Sequence, residues 1–159
     1  MEPKARPAIS DEVSELVRMY RLLESEMVAL HPMWNRADGL PEPVEEAFKR
    51  LIEDPQALVY VGEIDGVPLG FIVVRSEQLL PQAGERVASV RLLFTEEEAR
   101  EVGVAGAMLE AAVDEMRGRG HTLFDAHVLP GHRLAKNFFE AAGFSARSIV
   151  MHHSEEATR

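Results

Sequence analysis

The stretch Ser89 to Ala112, SVRLLFTEEEAREVGVAGAMLEAA, decides how the chain is organised. Val90, Leu92, Leu93 and Phe94 form an apolar run that predicts a buried strand, and an acidic turn at Glu96 to Glu98 follows it. Arg100 to Gly106 then opens an Ala-rich helix. The start of a helix presents unbonded N–H groups and the positive end of its dipole, and the small residues Gly103, Ala105 and Gly106 let an anion approach the backbone closely. The turn therefore reads as a pyrophosphate cradle. A helix that begins with small residues for packing alone is the competing reading. No Gly-Lys-Ser/Thr follows, so it is not a Walker loop, and the full G-x-G-x-x-G fingerprint of a dinucleotide fold is missing.

Downstream, Ala105, Met108, Leu109, Ala112 and Met116 give the helix from about Gly103 to Arg117 a buried stripe, and Gly118 and Gly120 punctuate its end. A strand over Thr122 to Leu129 completes a strand-turn-helix-strand passage, which predicts a parallel pair joined by a right-handed crossover. Pro130-Gly131 leads into a further helix with Leu134, Ala135, Phe138 and Ala142 on one side. Gly143 is read as its left-handed C′ residue, with Phe144 as hydrophobic partner. Arg147 to His152 predicts an edge strand, and the tail is polar from about residue 153.

Upstream, the extended start Arg6 to Ile9 runs into a helix for which Ser10 is the expected N-cap. Val13, Leu16, Val17, Tyr20, Leu23, Met27 and Leu30 recur at helical spacing, and His31-Pro32 stops the helix. Met33 to Pro41 reads as a long loop holding the only tryptophan. Pro43 begins a second helix with Val44, Phe48, Leu51 and Ile52 on its apolar face, and Asp54-Pro55 ends it. Asp65-Gly66 between the runs Ala57–Ile64 and Pro68–Val74 is a strong hairpin signal.

A chain of 159 residues with 46% hydrophobic and 28% charged content fits one domain with a full core. The absence of cysteine excludes disulfides, thiolate metal sites and cysteine nucleophiles. No apolar run approaches the ~20 residues of a membrane helix, and no signal-peptide core is visible, so the expectation is a cytoplasmic protein without a membrane partner. A net charge of −10 opposes nucleic-acid binding and favours cationic small molecules.

The motifs, taken in order, resemble the GNAT superfamily of CoA-dependent N-acyltransferases. Arg6-Pro-Ala-Ile-Ser-Asp11 is similar to the family's opening R-x-A-x-x-D, and the Asp65-Gly66 hairpin with Pro68-Leu-Gly-Phe71 is similar to its second and third strands. Arg100-x-x-Gly103-x-Ala105 resembles the signature Q/R-x-x-G-x-G/A. Ala135-x-x-Phe138-Phe139-x-x-x-Gly143-Phe144 resembles the segment A-x-x-F-Y-x-x-x-G-F. The resemblance implies an α/β fold in a single domain over residues 1–159, with a mixed, mostly antiparallel sheet flanked by helices and splayed central parallel strands. It also implies acetyl-CoA as acyl donor. The pyrophosphate would lie on Val102, Gly103, Val104, Ala105 and Gly106, with the pantetheine arm beside Leu93, Phe94 and Thr95. Arg100 would contact a phosphate, Arg133 or Lys136 the adenosine end, and His132 and Phe139 would line the cofactor. The implied acceptor is a small-molecule amine, with a homodimer as one option for assembly.

Two residues depart from the pattern. Phe139 stands where the family commonly has the tyrosine that protonates the departing thiolate, and His132 stands where it often has asparagine. An attacking amine must first lose a proton, for which His127 and His132 have suitable unperturbed pKa values, though a packed or solvated histidine is the alternative for each. Glu96 to Glu98 form a solvated turn or a relay through water. Trp34, Asn35 and Arg36 fall where the family builds its acceptor pocket; core cover by Trp34 is the competing role. The dispersed histidines argue for no metal site. Three functions are consistent with these residues: direct acetyl transfer in a ternary complex, a non-catalytic acyl-CoA-binding or regulatory module, and a nucleotide-binding domain of another kind.

Overall fold

The computed structural model describes residues 2–82 and 84–156. Five strands form one sheet in the order β1-β2-β3-β4-β5, with β1 at Lys4–Pro7, β2 at Ala57–Ile64, β3 at Val67–Gln78, β4 at Arg86–Thr95 and β5 at Phe124–Ala126. The β2–β3 hairpin turns at Asp65 and Gly66, both with positive φ (51° and 78°), as an Asp-Gly turn requires. The first four strands are antiparallel to their neighbours and β5 is parallel to β4.

Helices α1 (Val13–Leu30), α2 (Trp34–Ala37) and α3 (Val44–Glu53) share one core with the sheet, while α4 (Val104–Gly118) and α5 (Arg133–Ala141) share a second. In the first core, Tyr20, Phe48, Phe71 and Phe94 form a chain of ring contacts with centroids 5.6–6.2 Å apart. The apolar stripe of α1 is buried as its spacing predicts, with Met19 added to it, but Leu30 is exposed at the helix end. In the second core, Val104, Met108 and Met116 are fully buried. Gly62 and Gly70 make room for this helix: a Cβ on Gly62 would lie 2.6 Å from Val104 Cγ1, and one on Gly70 would lie 2.9 Å from Met108 Cε as well as 2.4 Å from the Phe94 carbonyl oxygen of β4.

Several expectations are corrected. Ser10 caps no helix; Ser10–Glu12 form a 3-10 turn, and the Ile9 N–H donates to the Glu12 carboxylate at 2.8 Å. The loop after α1 contains the one-turn helix α2. Helix α5 buries Phe139 and half-buries Phe138, whereas Leu134 is 70% exposed, because the adjacent rings of Phe138, Phe139 and Phe144 stack edge to face and carry the packing. Gly143 is left-handed at φ 97°, and Phe144 N–H closes back on the Phe139 carbonyl at 3.0 Å, as expected of that C-terminus.

The strand expected over Thr122 to Leu129 shrinks to Phe124–Ala126, and the edge strand expected over Arg147 to His152 does not form. Ile149, Val150 and Met151 are at least 75% exposed, and this segment makes no backbone ladder among the described residues. Its β-branched residues favour a pleated, half-buried surface. The segment is instead tied by side chains, Arg147 to Asp125 at 2.8 Å and, further on, Arg36 to Glu156 at 2.9 Å. The parallel pair is therefore at the sheet's edge and not at its centre.

Candidate functional site

The site begins where β4 and β5 part. Their last rung is the His127 N–H bonded to the Val90 carbonyl at 3.0 Å. Beyond it, Leu92 to Thr95 still pair with Val73 to Gly70 of β3, but among the described residues none after His127 pairs with β4. The edge of β4 from Leu92 to Thr95 is thus left without a β5 partner, so its outward peptide groups can bond an extended ligand, except the Thr95 carbonyl, which accepts from Arg100. This edge leads directly into the turn ahead of α4.

Gly103 is the N-cap of α4 and is left-handed at φ 89°, a conformation for which glycine carries no Cβ penalty. No side chain caps the helix and its first turn holds no acidic residue, so the N–H groups of Val104, Ala105 and Gly106 point onward without an intrahelical acceptor. A Cβ added at Gly106 would meet nothing within 4 Å. The cradle is open, positive and small-lined. A pyrophosphate fits these properties. Of the flanking residues, Val104 is fully buried and Val102 is half exposed.

Two charged side chains and a histidine meet where β4 runs into the turn before α4. Arg100 donates from Nε to the Thr95 carbonyl at 3.1 Å and from Nη2 to Glu26 of α1 at 2.9 Å. The other oxygen of Glu26 lies 3.6 Å from His132 Nε2, just ahead of α5. Two of the donor groups of Arg100 are thus held by the protein. Burial of the His132 ring lowers its pKa below the usual value, Glu26 opposes that, and Arg100 adds to it.

Beside the last β4–β5 rung, His127 has a different environment. Its Nδ1 lies 3.4 Å from Arg91 Nη1, and Arg91 is clamped by Glu77 of β3 through Nε at 2.9 Å and Nη2 at 2.6 Å. Desolvation and the Arg91 charge lower the His127 pKa, against smaller opposing effects of Glu77, Asp38 and Asp125. Arg147 in turn holds the Asp125 carboxyl below the ordinary range.

The remaining residues singled out from sequence are dispersed. Phe139 is 5% exposed, with its ring centroid 5.2 Å from Phe138 and 5.4 Å from Phe144. Lys136 pairs with Glu140 at 3.2 Å on the outer face of α5, and Arg133 is exposed. Trp34 is 6% exposed within the first core, 6.2 Å from the Tyr20 ring, while Asn35 and Arg36 are exposed and Arg36 pairs with Glu156. Among the described residues no group of three or more His, Asp or Glu is arranged to hold a metal ion. Sequence reasoning missed Glu26, Arg91 and Glu77. Glu26 is one of 27 acidic residues and lies 74 positions from Arg100, so no local spacing marks it.

No helix of the described residues is long and apolar enough to cross a membrane. The model of the acetyltransferase (GNAT) family matches residues 16–144. An uncharacterized N-acetyltransferase of Methanocaldococcus jannaschii is 23% identical over 103 residues, which are 65% of this chain and 46% of that protein, so the match spans less than half of that relative's length. A transcriptional regulator from Bacillus halodurans superposes with a TM-score of 0.73 at 21% identity, over 96% of this chain and 100% of its own. AAC(6')-Iy, solved in complex with the bisubstrate analog CoA-S-monomethyl-acetylneamine, superposes with a TM-score of 0.74 at 15% identity, over 99% of this chain and 100% of its own. With the family model covering most of the chain, and with the open β4 edge and the glycine-started helix in the family's order, the chain belongs to the acetyltransferase (GNAT) family.

Proposed function

We propose that the chain transfers an acetyl group from acetyl-CoA to the amine of a small molecule by direct attack in a ternary complex. The observation that carries this reading is the continuity of the free β4 edge, Leu92 to Thr95, with the uncapped N–H groups of Val104 to Gly106. The first suits the amides of a pantetheine arm and the second suits its pyrophosphate. The bound cofactor supplies an activated thioester. The chain's own task is to place it, to polarise its carbonyl through β4 N–H groups, and to take a proton from the incoming ammonium. Loss of the tyrosine hydroxyl at Phe139 is tolerable, since a thiol with a pKa of about 8.5 leaves as an anion near neutral pH. The net charge of −10 favours a cationic amine over nucleic acid, and the likeness to AAC(6')-Iy in its bisubstrate complex supports the same class of acceptor.

A second reading is a non-catalytic acyl-CoA-binding module, favoured by the buried, hydroxyl-free Phe139. The test combines calorimetry with acetyl-CoA and release of free thiol in the presence of an amine panel that includes an aminoglycoside. The expected result is saturable acetyl-CoA binding with thiol release that depends on the amine. Binding without release for every amine would favour the second reading, and no binding would overturn both.

A further inference from the structure

Arg100 lies at the corner of the site, where the free β4 edge ends and the turn to α4 begins. Its Nε donates to the Thr95 carbonyl at 3.1 Å, and its backbone precedes the Gly103 N-cap within the same turn. Its Nη2 donates to Glu26 Oε2 at 2.9 Å, which is the one hydrogen bond of the Glu26 side chain among the described residues; Oε1 is 3.6 Å from His132 Nε2, beyond hydrogen-bond distance. The two side chains are 35% and 33% exposed, so water neither fully screens the pair nor is shut out of it. Glu26 is not needed to fasten α1 to the turn. Arg18, about two turns earlier on α1, donates to Glu96 at 2.7 Å and ties the same two elements together. Glu26 therefore places a carboxylate, without a separate structural task, on the cation nearest to a cradle that suits an anion.

We propose that Glu26 is the resident counter-ion of Arg100: it holds the guanidinium's charge while the site is empty, and Arg100 exchanges it for phosphate oxygens when acyl-CoA binds. This rests on the acyl-CoA reading above. An unpaired guanidinium would offer its full charge to an incoming diphosphate, whereas one already paired trades one anion for another and gains only the difference. The partial exposure of Glu26 lets its carboxylate return to water after the exchange. The consequence is a lowered affinity for acetyl-CoA and for the CoA product alike, which speeds product release. Glu26→Gln isolates this role, because the amide keeps an oxygen that can accept from Nη2 and removes only the charge. If Glu26 merely oriented Arg100 toward the phosphates, the same change would leave binding unaltered or weaken it.

Calorimetry with acetyl-CoA and with CoA tests this without turnover. Glu26→Gln should tighten both ligands by about three- to tenfold. Arg100→Gln should weaken both by about tenfold. In the Arg100→Gln background, adding Glu26→Gln should change either affinity by less than about twofold, because the carboxylate acts through the guanidinium. Arg18→Gln, which cuts the other tie between α1 and the turn, should tighten neither ligand. Unchanged or weaker binding in folded Glu26→Gln protein would overturn the proposal. Equal tightening with and without Arg100 would also overturn it, by making Glu26 a general field at the site, as would tightening in Arg18→Gln, by making loosened packing of α1 the cause. Wild-type affinity in Arg100→Gln would overturn it while leaving the acyl-CoA reading intact, whereas absence of acetyl-CoA binding to the wild type would overturn that reading itself.

Discussion

Arg6 shows how a single residue can carry more than its motif implies. Its guanidinium makes a two-pronged contact with Glu12, at 2.8 and 2.9 Å, and donates from Nε to Glu63 at 2.9 Å. It therefore joins β1 to the turn that opens α1 and to the end of β2. Glu12 also accepts the Ile9 N–H, so the same carboxylate that pairs with Arg6 satisfies the backbone at the chain's entry into the helix. Both carboxylates are largely covered, with side-chain exposures of 14% and 18%. Arg6→Ala should cost ~1–3 kcal/mol, since it leaves two partly buried carboxylates without their cation, and urea unfolding of the variant against wild type measures it.

Among the elements, α4 separates folding from binding most cleanly. Gly103→Val would be an ambiguous probe of the cradle, because a β-branched residue at φ 89° is strained whether or not a phosphate is present. Gly106 is the better position. It lies in the first turn, has ordinary helical φ and would carry its Cβ into open space. Gly106→Ala should stabilise the protein by ~0.5–1 kcal/mol through helix propensity. Gly106→Glu should also remain folded, since a carboxylate in the first turn complements the dipole. It should nevertheless weaken acetyl-CoA binding by about tenfold or more, equivalent to ~1.4 kcal/mol, by placing like charge beside the phosphates. Thermal melts and calorimetry on the same two variants check both halves, and an undiminished affinity in Gly106→Glu would place the pyrophosphate elsewhere.

For the whole molecule, the pH dependence of stability follows from paired carboxylates and from His127 and His132. Hydrogen bonds from Arg6, with a further one from the Ile9 N–H, hold the Glu12 pKa below its usual value against the opposing effect of burial, and Arg147 does the same for Asp125. A depressed folded-state pKa contributes stability above the unfolded value and loses it as pH falls through the folded one. Stability should accordingly begin to fall below about pH 6.5, the unfolded histidine value, because His127 and His132 are likewise depressed, and carboxylate protonation should add a steeper decline below about pH 4. Glu12→Gln should flatten that decline, as followed by thermal melts from about pH 3 to about pH 7. Local chemistry made much of this architecture legible beforehand. The apolar spacing of α1, the Asp65-Gly66 hairpin, the glycine start of α4 and the left-handed Gly143 each depend on residues a few positions apart, and each stands where those neighbours predict. Apart from the Ser10 cap and the one-turn helix α2, which are local, the failures depend on how the folded chain packs. Residues 147–152 have the composition of a strand, yet a strand exists only where a second backbone meets it. Leu134 matches a helical stripe, but the rings of Phe138, Phe139 and Phe144 choose which face of α5 is buried. The cleft itself opens because β4 stays bonded to β3 after His127 makes the last rung with Val90, and Glu26 reaches Arg100 and His132 only once α1 is packed on the sheet. Periodicity and turn chemistry are short-range and so are written in neighbouring residues, whereas the pairing of charges and the parting of strands depend on which surfaces the folded core brings together.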